Sequence, residues 1–179
     1  MKDDYMILLF LISEKCVHCK NLLNNLDKIK KVLNQKYRLV YVTAVISNDP
    51  KDKFRLKNKS YPIGLNDFSI GMAPTVLLIN KDKWNEAISK PTEYISLAGH
   101  VKILNFKLNE KGFFLKNENG FPIRYKKWIN FLNPLELSKW IEIHYPKINN
   151  NTLINDDNND KNLELIKHRY EKFNRRIII

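Results

Sequence analysis

The stretch YMILLFLISEKCVHCKNLL, residues 5–23, joins an apolar run to the only two cysteines of the 179-residue chain. The run at 5–12 is short, almost uninterrupted and followed by polar residues, which is typical of a strand buried on both faces of a sheet. Cys16 and Cys19 follow at once, with two residues between them. The fold is therefore best predicted outward from this cysteine pair.

Beyond the cysteines, apolar residues recur at three- and four-residue steps, which predicts one face of an amphipathic helix. This face comprises Cys19, Leu22, Leu23, Leu26, Ile29 and Leu33. A second strand is predicted at 37–46, YRLVYVTAVI, because the segment is rich in β-branched and aromatic residues. The chain therefore opens with a β-α-β unit, and the cysteine pair lies at its strand-to-helix junction.

The next segments predict less regular structure around one further strand. The polar stretch at 47–72 is typical of a helix or loop of limited order. The segment APTVLLI at 73–79 predicts a third strand that is entered through a proline. Residues 80–99 show no pattern that favours one element.

Residues 100–132 contain strand-like stretches separated by NEKG and NENG, and both tetrapeptides are typical of turns. The segment NPLELSKWIEIHY at 133–145 then predicts a helix. Asn133 is suited to its N-cap and Pro134 to its first position. Its apolar face comprises Leu137, Trp140, Ile141 and His144.

The chain changes character after Pro146. Residues 147–162, KINNNTLINDDNNDKN, form an Asn/Asp-rich linker. Residues 163–179 carry a heptad-like apolar stripe, which predicts a C-terminal amphipathic helix: Leu163, Ile166, Tyr170, Phe173 and Ile177. Two interpretations stay open: the helix folds back onto the domain, or it docks to a partner protein or to a second copy in a homodimer.

Composition excludes several classes of function. The net charge of +12 comes mostly from scattered lysines, with no basic block or RNA-binding signature, so no specific nucleic-acid binding is predicted. The abundance of Lys, Asn and Ile is typical of an AT-rich genome. The start MKDDY is unlike a secretory signal, and no run approaches the roughly 18 apolar residues of a membrane span. We expect a cytoplasmic protein without a membrane span, and in that compartment two cysteines are not a structural disulfide framework.

A Cys-x-x-Cys pair at the start of a helix favours redox chemistry. The unpaired N–H groups and the partial positive charge of a helix N-terminus stabilise a thiolate over a thiol. Cys16 is therefore predicted to be the exposed nucleophile, and Cys19, one turn later, to resolve the mixed disulfide. His18, if protonated, would stabilise the reduced form and make the disulfide a stronger oxidant.

Two other interpretations of the pair are weaker. A zinc site needs four ligands, and His100, His144 and His168 lie in unrelated segments, so no metal is predicted. Two structural core cysteines would not need this spacing directly after a strand. The redox interpretation is therefore preferred.

The cysteine pair beside a β-α-β unit, together with GMAPTVLLI at 71–79, resembles the thioredoxin superfamily. In that superfamily a Gly-x-x-Pro-Thr strand carries a cis-proline. The resemblance implies an α/β, thioredoxin-like fold over residues 1–146, with a central mixed sheet flanked by helices. It also implies an inserted β-hairpin region at about 80–120, before WINFLNPLELSKWIEIHY, residues 128–145, which resembles the last strand, turn and helix of the family. A C-terminal helical tail would follow.

The resemblance also implies roles for site residues. Pro74 would be the cis-proline beside Cys16, and the backbone of Ala73 would pair with an incoming substrate chain. Val17 and Thr75 would also contact the substrate. Thioredoxins carry a buried acid six residues before the first cysteine, and Phe10 occupies that position here.

The resemblance implies a thiol–disulfide oxidoreductase that exchanges a Cys16–Cys19 disulfide with protein thiols and needs no cofactor. Histidine before the second cysteine is similar to protein disulfide isomerases and favours an oxidant, whereas a cytoplasmic setting favours a reductase. The upstream redox partner would be a reductase or a sulfhydryl oxidase. An alternative location is the virion of a large DNA virus that runs such a relay. The alternative function is a thioredoxin-fold binding or assembly protein with a vestigial or structural disulfide.

Overall fold

The computed structural model of this chain describes residues 5–47, 56–57, 61–68 and 72–144. The predicted linker at 147–162 and the predicted C-terminal helix at 163–179 lie outside the described residues. Within the described ranges, no helix is both long and apolar enough to cross a membrane.

The sheet has four strands: β1 at Met6–Ile12, β2 at Leu39–Val45, β3 at Thr75–Asn80 and β4 at Val101–Ile103. They lie in the order β2-β1-β3-β4. β1 runs parallel to β2 and antiparallel to β3, and β3 runs antiparallel to β4. The chain is thus a mixed α/β protein, and the strands predicted at 5–12, 37–46 and 73–79 are confirmed.

Helices cover both faces of the sheet, which explains why β1 is apolar without a break. Leu8, Phe10 and Ile12 of β1 pack in one apolar layer with two helices: α1, Val17–Leu33, and α3, Pro134–His144. Ile7, Leu9 and Leu11 of β1 pack in a second layer on the other face, with a 3-10 helix, Ile63–Phe68, and with α2, Lys81–Ser89. The predicted α1 is confirmed, and its predicted face is turned toward the first layer.

α2 occupies part of the segment for which the sequence predicted no element. Asn80 caps it, because its side-chain oxygen accepts hydrogen bonds from the N–H groups of Asp82 and Lys83 at 3.0 and 3.2 Å. Trp84 and Ala87 are buried against the sheet. α2 is short and has only this narrow apolar face, so its periodicity in the sequence is weak.

The fourth strand corrects one prediction. The family resemblance implied a last strand at the start of WINFLNPLELSKWIEIHY, residues 128–145, and this implication is wrong because residues 128–132 form no strand. The strand lies instead at Val101–Ile103, where the two outer residues are buried and Lys102 is exposed. α2 and β4 both fall within the segment at 80–120 that was expected to be an insertion, so this segment supplies one strand of the sheet.

Residues 105–125, which we call the turn module, follow β4. The predicted turns at 109–112 and 117–120 are confirmed, and each ends in a glycine with positive φ. Isolated bridges, rather than long strands, join the arms of the module. Three backbone hydrogen bonds close a ring: Lys107 N–H to Ile123, Ile123 N–H to Leu115, and Leu115 N–H to Lys107, at 2.8–2.9 Å.

α3 begins as the sequence predicted. The side-chain oxygen of Asn133 accepts hydrogen bonds from the N–H groups of Leu135 and Glu136 at 3.1 and 3.4 Å, and Pro134 is the first helical residue. Leu137, Trp140 and Ile141 are buried. This face joins α3 to the layer that contains α1.

Candidate active site at the cysteine pair

Cys16 is the N-cap of α1. Its backbone is extended, with φ −89° and ψ 117°, and its Sγ accepts a hydrogen bond from the N–H of Cys19 at 3.2 Å. A turn immediately before the helix, with Cys16 N–H bonded to the Ser13 carbonyl at 3.2 Å, leads the chain out of β1. The sulfur therefore lies at the positive end of the helix, where an anion is stabilised.

The loop before β3 is the second component of the site. The Sγ of Cys16 lies 3.3 Å from the carbonyl oxygen of Ala73, to which it donates a hydrogen bond. The Ala73–Pro74 peptide bond is cis, as the family resemblance implied. Two segments 57 residues apart in sequence thus meet at the Cys16 sulfur.

Cys19 differs sharply from Cys16 in its surroundings. It is buried, with 1% of its surface exposed, and the N–H of Ser13 donates to its sulfur at 3.4 Å. Burial, together with the hydrogen bond to Cys16, raises the pKa of the Cys19 thiol to about 12, although the Ser13 hydrogen bond opposes the rise. Cys19 is therefore protonated at neutral pH, whereas Cys16 is half-buried and is the more accessible cysteine of the pair.

The two residues between the cysteines are exposed on the first turn of α1. Val17 is 67% exposed, which leaves an apolar side chain in solvent beside the Cys16 sulfur. His18 is also exposed. Within the described part of the chain, no hydrogen bond joins His18 to Cys16, so its predicted influence on the thiolate would have to act through charge.

Thr75 is the first residue of β3. It is 2% exposed, and its hydroxyl donates to the carbonyl oxygen of Met72 at 2.8 Å. This hydrogen bond spans Ala73 and Pro74 and holds the loop that carries them. The substrate contact of Thr75 stays a prediction.

Three residues near this loop were missed by the sequence reasoning. The guanidinium of Arg124 donates to the sulfur of Met72 at 3.0 Å. It also stacks over the ring of Trp128, 5.2 Å from the ring centroid. Met72 and Arg124 are 52 residues apart, and no motif in the sequence indicates such a long-range pair.

The acidic side chain nearest the cysteine pair in sequence is already paired. Glu14, just before the pair, forms an exposed ion pair with Lys57 at 2.8 Å. In the ranges that the structure describes, no cluster of His, Cys, Asp or Glu could hold a metal ion. Both cysteines are free thiols.

Comparisons with known proteins add little. No family model matches the chain, and no curated protein matches it. A solved structure described as "Structure of a malarial protein" is 18% identical over 50% of this chain and 100% of its own, with a TM-score of 0.28. A TM-score that low carries no argument, so function has to be inferred from the residues of the site.

Proposed function

We propose that this chain is a thioredoxin-like thiol–disulfide oxidoreductase that exchanges a Cys16–Cys19 disulfide with the thiols of another protein. One observation carries the proposal: the Cys16 sulfur caps α1 and contacts the Ala73 carbonyl, while Cys19 is buried directly behind it. One accessible and one protected sulfur is the arrangement that thiol exchange through a mixed disulfide requires.

The topology supports the thioredoxin-like part of the proposal. β1 lies between a parallel neighbour and an antiparallel one, in the order β2-β1-β3-β4. The cysteine pair follows β1 and the cis-proline precedes β3, so both lie at one end of the sheet. The family resemblance implies this same arrangement.

In the oxidising direction, a substrate thiolate attacks the Sγ of Cys16 in the disulfide form of the protein. The Cys16–Cys19 bond breaks, and its electron pair remains on Cys19, which takes up a proton. A second substrate thiolate attacks the substrate sulfur of the mixed disulfide and releases Cys16. The substrate has then lost two electrons and two protons, and the two cysteines have gained them. Reduction of a substrate disulfide is the reverse sequence.

The residues around Cys16 have distinct parts in this scheme. Ala73 offers backbone groups to an incoming chain, Val17 offers an exposed apolar contact, and Pro74 keeps a backbone N–H donor out of the site. His18, when protonated, favours the thiolate product and so favours oxidation of the substrate. No cofactor takes part in the exchange itself.

Turnover requires an upstream partner, which we take to be a reductase or a sulfhydryl oxidase. We propose a cytoplasmic location, with the virion of a large DNA virus as the alternative. The reduction potential of the pair indicates the direction of exchange and the class of upstream partner, reductase or oxidase.

That potential is the decisive measurement. The protein is equilibrated in glutathione buffers of graded ratio, and free thiols are trapped by alkylation and counted by mass. A reversible couple near −180 mV or higher indicates an oxidant or isomerase, and a couple near −270 mV indicates a reductase, both values being approximate. Cys16→Ser and Cys19→Ser are the matched controls, because neither can form the disulfide.

If the wild-type protein shows no reversible couple, the oxidoreductase proposal fails. The binding or assembly function then takes its place. The turn module supports that alternative, because it presents exposed apolar side chains such as Leu115 and Phe121.

A further inference from the structure

A groove lies between the end of the turn module and α3. Its volume is about 980 Å³, and its walls include Tyr125, Trp128 and Ile129 on one side and Trp140 and Ile143 on the other. Trp128 is 46% exposed and Ile143 is 75% exposed, whereas Trp140 is buried. Such a groove can accept apolar and aromatic side chains of a ligand.

The rim of this groove is basic. Lys107, Lys126, Lys127 and Lys139 line it. Among the described residues, none of these four lysines forms an ion pair. The ammonium of Lys107 lies over the Tyr125 ring, 5.8 Å from its centroid, which leaves Lys126, Lys127 and Lys139 as the positive charges most available to a ligand. These charges favour a ligand that carries negative charge.

The one carboxylate in the lining is already engaged. Glu136 accepts hydrogen bonds from the backbone N–H of Asn130 at 2.9 Å and from the side-chain amide of Asn133 at 3.3 Å. It lies in the first turn of α3, where its charge complements the helix N-terminus. Glu136 is thus part of the helix cap, and its single negative charge leaves the lining of the groove net positive.

A series of side-chain contacts links the groove to the cysteine site. Trp128 lines the groove and stacks under the guanidinium of Arg124, which in turn bonds to the sulfur of Met72. Met72 is adjacent in sequence to Ala73, whose carbonyl contacts the Cys16 sulfur. A chain bound at Cys16 can therefore extend over exposed Met72 and Arg124 into the groove.

We propose that this groove binds an acidic, extended segment of the protein whose cysteine exchanges with Cys16. The proposal rests on the exchange function proposed above and assigns its substrate class: proteins with Asp or Glu and an aromatic or apolar residue flanking the reactive cysteine. The lysines bind the carboxylates, and the apolar walls bind the apolar residue. The contacts through Trp128, Arg124 and Met72 link the groove to a site that is proposed to exchange protein thiols, which favours a polypeptide over a nucleic acid.

The first test measures binding without exchange. A fluorescently labelled, cysteine-free peptide that carries Asp, Glu and one Phe is titrated with the wild-type protein, and its anisotropy is recorded. A peptide with Asn and Gln in place of the acids is the control. We expect the acidic peptide to bind more tightly, and equal binding of the two peptides overturns the proposal.

A charge-reversal pair locates the binding. The first double variant, Lys127→Glu/Lys139→Glu, reverses two exposed charges in the lining of the groove. The second, Lys111→Glu/Lys116→Glu, reverses two exposed charges of the turn module that lie outside the lining of the groove. Because exposed ion pairs contribute modestly to binding, reversing two groove charges should weaken binding of the acidic peptide by about tenfold or more. The second variant has the same net charge and should bind as the wild type does. Equal losses in both variants would indicate only a general charge effect and overturn the proposal.

Exchange kinetics separate this inference from the proposed function. The wild-type protein is assayed with 2-hydroxyethyl disulfide and with two peptide disulfides that have acidic or neutral flanks. A higher kcat/KM for the acidic peptide supports the groove assignment, and equal values overturn it while leaving the exchange function intact. Absence of exchange with all three substrates overturns the proposed function itself. Tighter binding of a labelled single-stranded oligonucleotide than of the acidic peptide would assign the groove to nucleic acid instead.

Discussion

Asn105 and Ile129 are joined by two hydrogen bonds that imitate strand pairing. The side-chain oxygen of Asn105 accepts from the Ile129 N–H at 2.7 Å, and its amide nitrogen donates to the Ile129 carbonyl at 2.8 Å. Asn105 is 5% exposed and has a φ of 69°, in the left-handed region that asparagine tolerates better than most residues. One side chain thereby satisfies the backbone of a segment that has no neighbouring strand.

We expect loss of this side chain to destabilise the protein. Asn105→Gly keeps the left-handed backbone but leaves two Ile129 backbone groups unbonded, which should lower the free energy of unfolding by about 2–4 kcal/mol. Asn105→Ala should cost roughly 1 kcal/mol more, because alanine strains that φ. Urea unfolding measures both values. Wild-type stability of the glycine variant would show that the two hydrogen bonds do not contribute.

Gly112 and Gly120 form a matched pair in the turn module, because both have positive φ, 85° and 78°. A Cβ on Gly112 would overlap the backbone nitrogen of Gly99 and lie 2.8 Å from its Cα, whereas a Cβ on Gly120 would meet nothing within 4 Å. Gly120→Ala should therefore cost only about 1–2 kcal/mol of stability from its φ. Gly112→Ala should cost at least about 1–3 kcal/mol more, since backbone must move. Equal urea midpoints for the two variants would contradict this difference.

Thr75 positions the loop that carries the cis-proline, and two substitutions separate its hydroxyl from its methyl group. Thr75→Val keeps the shape of the side chain but removes its hydrogen bond to Met72, so the loop that carries Pro74 is held less firmly. Loss of one hydrogen bond of about 1 kcal/mol from the transition state should lower the rate of thiol exchange by about fivefold. Thr75→Ser keeps the hydrogen bond and should exchange at close to the wild-type rate, despite some loss of stability. The prediction fails if the serine variant is the slower of the two in a peptide-disulfide assay.

The two cysteines should differ in reactivity. In the folded protein at pH 7, iodoacetamide should label Cys16 and leave Cys19 unmodified, because Cys19 is buried and protonated. With a pKa of about 12, only about 1% of Cys19 is ionised at pH 10, so it should add almost no thiolate absorbance below that pH. Ionisation, and with it reactivity, increases only as the pH rises toward the pKa.

Single-cysteine variants provide the readout for this difference. Cys19→Ser retains the accessible sulfur, and Cys16→Ser retains the buried one. The first should be alkylated much faster, and urea should abolish the difference. Similar rates in the folded variants would contradict the assignment of Cys16 as the nucleophile.

Local patterns in the sequence predicted the elements around the cysteines. β1 and α1 were predictable because their apolar periods are strong, and α3 because Asn133 and Pro134 mark its start. The cis bond at Pro74 was predictable only through the family resemblance. For β1, α1 and α3 the information lies within a few residues of the element, whereas the cis bond also required the distant cysteine pair.

The features that the sequence did not predict depend on distant partners. β4 has three residues, too few for a periodic signal, while WINFL has strand-like composition but is bonded by Asn105 instead. Arg124 contacts Met72 because the turn module lies against the loop before β3. The Thr75 hydroxyl is bonded within that same loop. The groove beside α3 arises in the same way, because residues far apart in sequence form its two walls.

The ring of hydrogen bonds through Lys107, Leu115 and Ile123 separates the base of the turn module from its tips. Each arm leaves and returns to the ring at fixed backbone positions, while residues 110–111 and 118–119 at the tips are exposed. Side chains at these tips can be exchanged without loosening the base, which also supports Arg124 and Tyr125. The module is therefore a natural place for diversification, and for grafting foreign recognition loops onto the protein by design.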